Sequence, residues 1–218
     1  FTKIADTSDG HFLSFTPLPS INSQGMVTFL ANPSDGGGGV ILRGDGKTVN
    51  VLYHEGDGFF NGFGGHPSIN DAGTVAFIAN SNIGKGVFSG NGGIPNTIKV
   101  GPSTGFGNLN LGDVHINADG IVAFRTIFQT TSGPSGGIFT GAGGAITTIV
   151  DANGPLKINS LDDPSINRAG VVAFHGESKA GGFGIFTGDG TNLKTVADSN
   201  GPINFDGTFG RSPSINDA

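Results

Sequence analysis

The motif Asn-x-x-Gly-x-x-(Ala/Thr)-Phe occurs four times in this chain. The copies begin at Asn22, Asn70, Asn117 and Asn167. Their glycines are Gly25, Gly73, Gly120 and Gly170, and they close on Phe29, Phe77, Phe124 and Phe174. Three copies carry Ala before the Phe (Ala76, Ala123, Ala173); the first carries Thr28. A fifth copy starts at Asn216 and reaches only Ala218. The spacing is about 49 residues, within the range where self-similarity marks a propeller, a solenoid or another array. One such unit cannot bury its own apolar faces, so stacking against its neighbours must build the core. The four Phe and four Gly of the motif are therefore the expected repeat core.

Each repeat reads as four short strands. In the second, Pro67-Ser68-Ile69-Asn70 is followed by the turn Asp71-Ala72-Gly73, where Gly supplies a positive φ. Thr74 to Ala79 is β-rich, Gly86 to Gly90 follows a polar loop, and Thr97 to Val100 completes the set. The chain has 41 Gly among 218 residues, placed at recurring turn positions between runs of Val, Ile and Phe. That is turn chemistry in an all-β protein. Four strands per repeat of this length predict an all-β, β-propeller-like array in a single repeat domain, 1–218. Its full repeats are 19–66, 67–113, 114–163 and 164–212, with partial repeats at 1–18 and 213–218, five-bladed when completed. A β-solenoid is the alternative, although its coils repeat at shorter periods. With no Trp, the 18 Phe must supply most of the large core area.

The two ends read as pieces of one further repeat. Lys3-Ile4-Ala5-Asp6 matches the fourth-strand pattern Thr195-Val196-Ala197-Asp198, and Pro213 to Asn216 matches a first strand. The part between them, a second–third strand hairpin, has no counterpart. The hairpin could be absent from this sequence, the array could continue beyond it, or the strands could pair with another molecule. Unpaired strand edges attract other strands, and a head-to-tail contact can grow a fibre. Phe1, Thr2, Lys3, Ile4 and Ala5, with Pro213, Ser214, Ile215 and Asn216, are therefore the candidate subunit-pairing strands.

The four motif copies resemble a bacterial tandem-repeat family defined by the pattern NxxGxxAF. Pro67 to Phe77 also looks like the opening of a TolB-type propeller repeat. The first resemblance implies export and an extracellular or cell-surface location, since such proteins typically carry varied C-terminal sorting anchors. It implies no defined activity for particular residues.

Composition narrows the remaining function classes. The net charge of −6, with charged residues sparse, argues against nucleic-acid binding, which needs a basic stripe. The absence of Cys excludes disulfides and Cys-ligated zinc. No apolar run is long enough to span a bilayer as a helix, so no membrane insertion is expected.

Candidate chemical sites are few. Gly101-Pro102-Ser103-Thr104-Gly105 fits the G-x-S-x-G pattern, but no helix signal follows it. Gly133-Pro134-Ser135-Gly136-Gly137 fits it too. His11, His54, His66, His115 and His175 lack metal-ligand spacing and read as loop or hydrogen-bonded residues. Asp6, Asp9, Glu55, Asp57, Asp151 and Asp198 follow fourth strands. Calcium is the one cofactor they admit, and Asx-turn capping is the alternative. Phe59, Phe60 and Phe63 form an apolar cluster in a connection, matched by Phe12 and Phe15, Phe106, Ile158, and Phe205 and Phe209; they read as plugs between repeats. The expectation is a non-enzymatic extracellular scaffold, structural or adhesive, that self-assembles into filaments. A lectin-like module binding glycans is the alternative, with a hydrolase using Ser103 a third. No catalytic residue and no metal site are assigned.

Overall fold

A computed structural model describes residues 2–101, 110–201 and 212–217. The chain is all-β, a propeller-like array of four antiparallel sheets, each built from the second to fourth strands of one repeat with a first strand that begins in the preceding connection. The only helical element among the described residues is a 3-10 turn, Ile158–Ser160. Two compact units divide the chain, Phe1–Ser103 and Thr104–Ala218.

The first unit holds two sheets. Its first sheet comprises β1 (Phe12–Phe15), β2 (Ser20–Ile21), β3 (Val27–Pro33), β4 (Val40–Gly44) and β5 (Val49–His54). Its second comprises β6 (Phe60–Ile69), β7 (Val75–Ser81), β8 (Gly84–Gly90) and β9 (Asn96–Val100). In the second unit, one sheet comprises β10 (Asn110–Ile116), β11 (Val122–Thr130), β12 (Gly133–Gly141) and β13 (Thr147–Asp151). The other comprises β14 (Leu156–Lys157), β15 (Ser165–Ile166), β16 (Val172–Ser178), β17 (Phe183–Gly188) and β18 (Leu193–Asp198). In every sheet the second, third and fourth strands of the repeat pair in sequence order, while β1 and β2 both pair with β3, and β14 and β15 both with β16.

The motif explains the turn between the first and second strand of each repeat. The glycine N–H donates to the Asn carbonyl three residues back, and the Asn N–H to the carbonyl four residues on. The glycines hold φ of +79°, +79°, +79° and +82°, the left-handed corner that closes a three-residue hairpin loop. The Asn side chain completes the turn: Asn22 Oδ1 accepts from the N–H groups of Gln24 and Met26, and Asn117 Oδ1 from Asp119 and Ile121.

The motif Phe is buried in every repeat. It faces a third-strand residue across the ladder: Phe29 opposite Leu42, Phe77 opposite Phe88, Phe124 opposite Phe139, Phe174 opposite Phe186. The three Phe–Phe pairs stack alike, with centroids 5.9 Å apart. Ala76, Ala123 and Ala173 are buried beside them. Thr28 is buried too, and its hydroxyl donates to the Leu42 carbonyl at 2.8 Å, which satisfies the one polar substitution at that position.

Each sheet also carries a bulge in its fourth strand, before the residue facing the motif Phe. The register skips Leu52, Ile98, Ile149 and Val196. A bulge increases local twist and re-aims the extra residue. Ile149 Cγ2 accordingly lies against Gly188 of the following sheet, where an added Cβ would come within 2.8 Å.

Two expectations are corrected. The connection holding Phe59, Phe60 and Phe63 is no loose linker: Phe60–Gly64 opens β6 and pairs with β7 before a register shift leads to Ser68. Phe12–Phe15, Asn110–Leu111 and Leu156–Lys157 pair with second strands likewise. Edge pairing satisfies backbone groups that a packed loop would leave without partners. His175 is not a loop residue either. It is buried in β16, and its Nδ1 meets Asp162 Oδ2 at 2.7 Å.

The turn between third and fourth strands relies on a carboxylate. Asp189 Oδ1 accepts from the N–H groups of Thr191 and Asn192 at 2.8 and 2.7 Å. The hydrogen bonds from Asn192 and then Thr191 hold the carboxyl pKa down at about 2. A depressed carboxylate pKa adds stability above its ordinary value of 3.8, and that stability is lost as pH falls toward about 2. NMR titration of the Asp189 carboxyl carbon should give a midpoint near 2; a midpoint near 3.8 would show that the turn does not hold the ionised form.

Candidate functional site

Adjacent repeats are joined by the motif Asn. In the first unit Asn22 Nδ2 donates to the Asn70 carbonyl at 3.0 Å, and in the second Asn117 Nδ2 donates to the Asn167 carbonyl at 3.0 Å. The next residue adds a second link, as Ser23 N–H donates to Asp71 Oδ1 at 2.9 Å. These partners lie 48 to 50 residues apart, one repeat.

The same bonds hold the segment 213–217. Asn167 Nδ2 donates to the Asn216 carbonyl at 3.1 Å, and Arg168 N–H to Asp217 Oδ1 at 2.6 Å. Residues 213–217 thus sit on the fourth repeat as Asn70 and Asp71 sit on the first. Residues 2–6 have the complementary placement. Ile4 and Ala5 pack on the core of Phe29, Ala31, Val40 and Leu42, and Ile4 Cγ2 lies against Gly44 as Ile149 lies against Gly188.

Within the single chain neither segment forms a ladder, so Thr2, Lys3, Ile4, Ala5, Pro213, Ser214, Ile215 and Asn216 are not paired as strands there. A strand needs a ladder partner, and no second–third strand hairpin of their own repeat exists among the described residues. Phe1 lies outside the described residues. The Lys3 ammonium and Asp6 carboxylate pair at 2.6 Å on the surface.

Each unit leaves one apolar face open. Ile21 is 67% exposed, whereas its counterpart Ile69 is 6% exposed, packed with Ile41 and Met26 of the preceding repeat. The bulge residue Val196 is 64% exposed, whereas Ile149 at the same position is 9% exposed.

The other sequence candidates do not converge. Ser103 and Phe106 lie outside the described residues, as do Phe205 and Phe209. Ser135 lies inside β12, opposite Phe128, with no elbow. The acids after fourth strands cap backbone: Asp6 accepts from Ser8 N–H, Asp9 from His11, Asp57 from Phe59 and Phe60, Asp151 from Asn153, and Asp198 from Asn200. Glu55 Oε1 instead accepts from Phe63 N–H. Among the described residues no three His, Asp or Glu side chains come together as metal ligands. Phe60 is buried against Phe59, Phe63, Phe77, Phe88 and Tyr53, so it plugs the core.

Sequence reasoning missed a polar region in the second unit. Asp163 accepts from Arg125 Nε at 3.2 Å across the bare backbone of Gly112. His115 stands near Asp113 and Asp163. Its ring reaches solvent, yet the protein packed around it lowers the imidazole pKa, against the raising effect of both carboxylates. Protonating His115 therefore opposes folding, and this cost grows as pH falls below the ordinary value of 6.5.

The second unit also has a cleft of about 540 Å³. It is lined by Lys157, Ile158, Asn159 and Ser160 at the 3-10 turn and by Glu177, Lys179 and Phe183, with Lys157 and Glu177 partners in the β14–β16 ladder. The Lys157 ammonium and Glu177 Oε1 pair at 2.5 Å. Ser160 Oγ donates to the Lys157 carbonyl and accepts from Glu177 N–H, both at 2.8 Å. Lys179 Nζ donates to the Ala152 carbonyl at 2.8 Å. The Phe183 ring is held parallel to His175, at 8° and 5.7 Å between centroids. These residues fall in a connection and at strand ends outside the repeated motif, so no motif announces them.

No protein-family model matches the chain, and no curated protein matches it. Among solved structures, a Hadza microbial sialidase, Hz136, is similar at 13% identity and a TM-score of 0.46, over 87% of this chain and 47% of the sialidase chain. This chain spans less than half the length of that one.

Proposed function

We propose that this chain is a non-enzymatic extracellular scaffold whose copies join head to tail, each repeat array presenting loops on a rigid β framework. The observation that carries this reading is the pair of open faces. Ile21 and Val196 occupy positions that are buried at Ile69 and Ile149 and half-buried at Ile166 and Ile4, and here they are 67% and 64% exposed. Within each unit such faces are covered by another repeat of the same pattern. The self-complementary partner is therefore a second copy of this chain, docking its open fourth-repeat face on the open first-repeat face. The terminal segments add main-chain groups, since residues 2–6 and 213–217 lie at fourth- and first-strand positions without forming ladders. A contact between two different faces repeats without closing and yields a filament. An extracellular location follows the family resemblance of the motif.

Ile21→Asp places a charge in the proposed interface and leaves the buried core untouched. The expected outcome is loss of assembly with an unchanged unfolding transition. Sedimentation of the wild type across a concentration series, beside Ile21→Asp and a chain lacking residues 2–6, checks it. A wild type that stays monomeric at every concentration, or an Ile21→Asp polymer of unchanged length, overturns the reading.

A further inference from the structure

We infer that the cleft lined by the 3-10 turn at Ile158–Ser160 and the ends of β16 and β17 binds a carboxylate-bearing saccharide. This goes beyond the scaffold reading, because assembly makes no use of the cleft.

Size, charge and donor placement each narrow the ligand. About 540 Å³ is within the range of small-molecule sites and suits one or two sugar rings. The lining combines an apolar part, with Ile158 and Phe183, and a few polar groups that can fix orientation. The ring of Phe183 is already held in place by the parallel His175 imidazole, so a ligand finds a pre-set aromatic wall and loses little side-chain entropy on binding.

Charge selects an anion. The cleft carries two ammoniums, Lys157 and Lys179, and one carboxylate, Glu177, a local positive excess in a chain of net charge −6. Lys157 directs one donor to Glu177 and Lys179 one to the Ala152 carbonyl. An ammonium has three donors, so both retain hydrogen bonds for a ligand carboxylate, and charge-assisted bonds are the strong ones.

Hydroxyls are provided for as well. Glu177 uses Oε1 on Lys157, leaving Oε2 to accept from a ligand hydroxyl, and the Asn159 amide at the rim both donates and accepts. A simple dicarboxylate would match the ammoniums alone. A neutral sugar would leave them without a counter-charge.

The test is an amide NMR titration of the whole chain with three probes: digalacturonate, lactose and succinate. Digalacturonate should shift the resonances of residues 157–160 and 177–183, with lactose and succinate binding at least about tenfold more weakly. The double variant Lys157→Gln/Lys179→Gln changes two exposed side chains and should weaken digalacturonate binding about tenfold or more. No response to digalacturonate, equal binding of lactose or succinate, shifts confined to other residues, or full binding by the double variant each overturns the proposal. Sedimentation of the double variant separates the two readings: its assembly should match the wild type whatever the titration shows.

Discussion

Replacing Phe77 with alanine should lower the unfolding free energy by about 3–5 kcal/mol, read as a shifted urea midpoint at unchanged slope. Phe77 is 1% exposed and touches Tyr53, Phe60, Phe63 and Phe88, with ring centroids 4.7 to 5.9 Å away. The ring therefore contributes its transfer free energy and also props four other rings. The cavity left behind is walled by aromatic groups from three strands, and rigid rings collapse poorly into a void. Phe174→Ala removes a ring packed against one stacked partner, Phe186, within an aliphatic core of Leu156, Leu161 and Val172. Aliphatic side chains relax more readily, so its cost should fall toward the lower end of that range. Equal losses at both positions would mean that the aromatic cluster adds nothing beyond buried area.

Asn117→Ala should cost about 2–4 kcal/mol, a large effect for a turn residue. The buried side chain has two separate duties. Oδ1 accepts from Asp119 and Ile121 N–H within its own turn, and Nδ2 donates to the Asn167 carbonyl of the next repeat. Alanine takes that partner from two donors and one acceptor; the Asn167 carbonyl keeps its bond from Gly170 N–H, so the loss falls mainly on the Asp119 and Ile121 N–H groups of the turn. Asn117→Asp separates the duties. It keeps the acceptor for the turn but sets a carboxylate oxygen against the Asn167 carbonyl. If the link between repeats matters, Asn117→Asp is destabilising despite a preserved turn. A wild-type urea midpoint for Asn117→Asp would confine the role of this residue to the hairpin.

The motif made much of the fold legible. Asn, Gly, Ala and Phe at fixed offsets specify a hairpin whose next strand carries a buried ring, and the structure buries Phe29, Phe77, Phe124 and Phe174 at the same register position opposite the third strand. The Asp residues after fourth strands were readable as Asx turns because that chemistry spans only two or three residues. The pairing of the Phe60–Gly64 stretch with β7 was hidden. Its Gly-rich composition signals a loop, while pairing depends on an available edge of β7 that only the assembled sheet provides. The bulges at Leu52, Ile98, Ile149 and Val196 were hidden for a related reason: alternation along a strand is read one strand at a time, and a bulge is a property of two.

The site was less legible than the fold. Ser103 matched a pattern that Gly- and Ser-rich chains meet by chance. The cleft of Lys157, Glu177, Lys179 and Phe183 matched none, because its residues come from a 3-10 turn and two strand ends. His175 was read as a loop residue because it shows no metal-ligand spacing; its hydrogen-bond partner Asp162, 13 residues away in the chain, is not visible from local pattern.

By itself the sequence determined the repeat, its turns and its buried rings, because hairpin geometry and apolar period act over a few neighbouring residues. The tertiary structure alone decided which faces remain open at Ile21 and Val196, how far the first strands extend, and where polar side chains gather. Those outcomes depend on which strand edge or which repeat lies against which, and chain folding brings together residues from about 20 positions to a whole period apart.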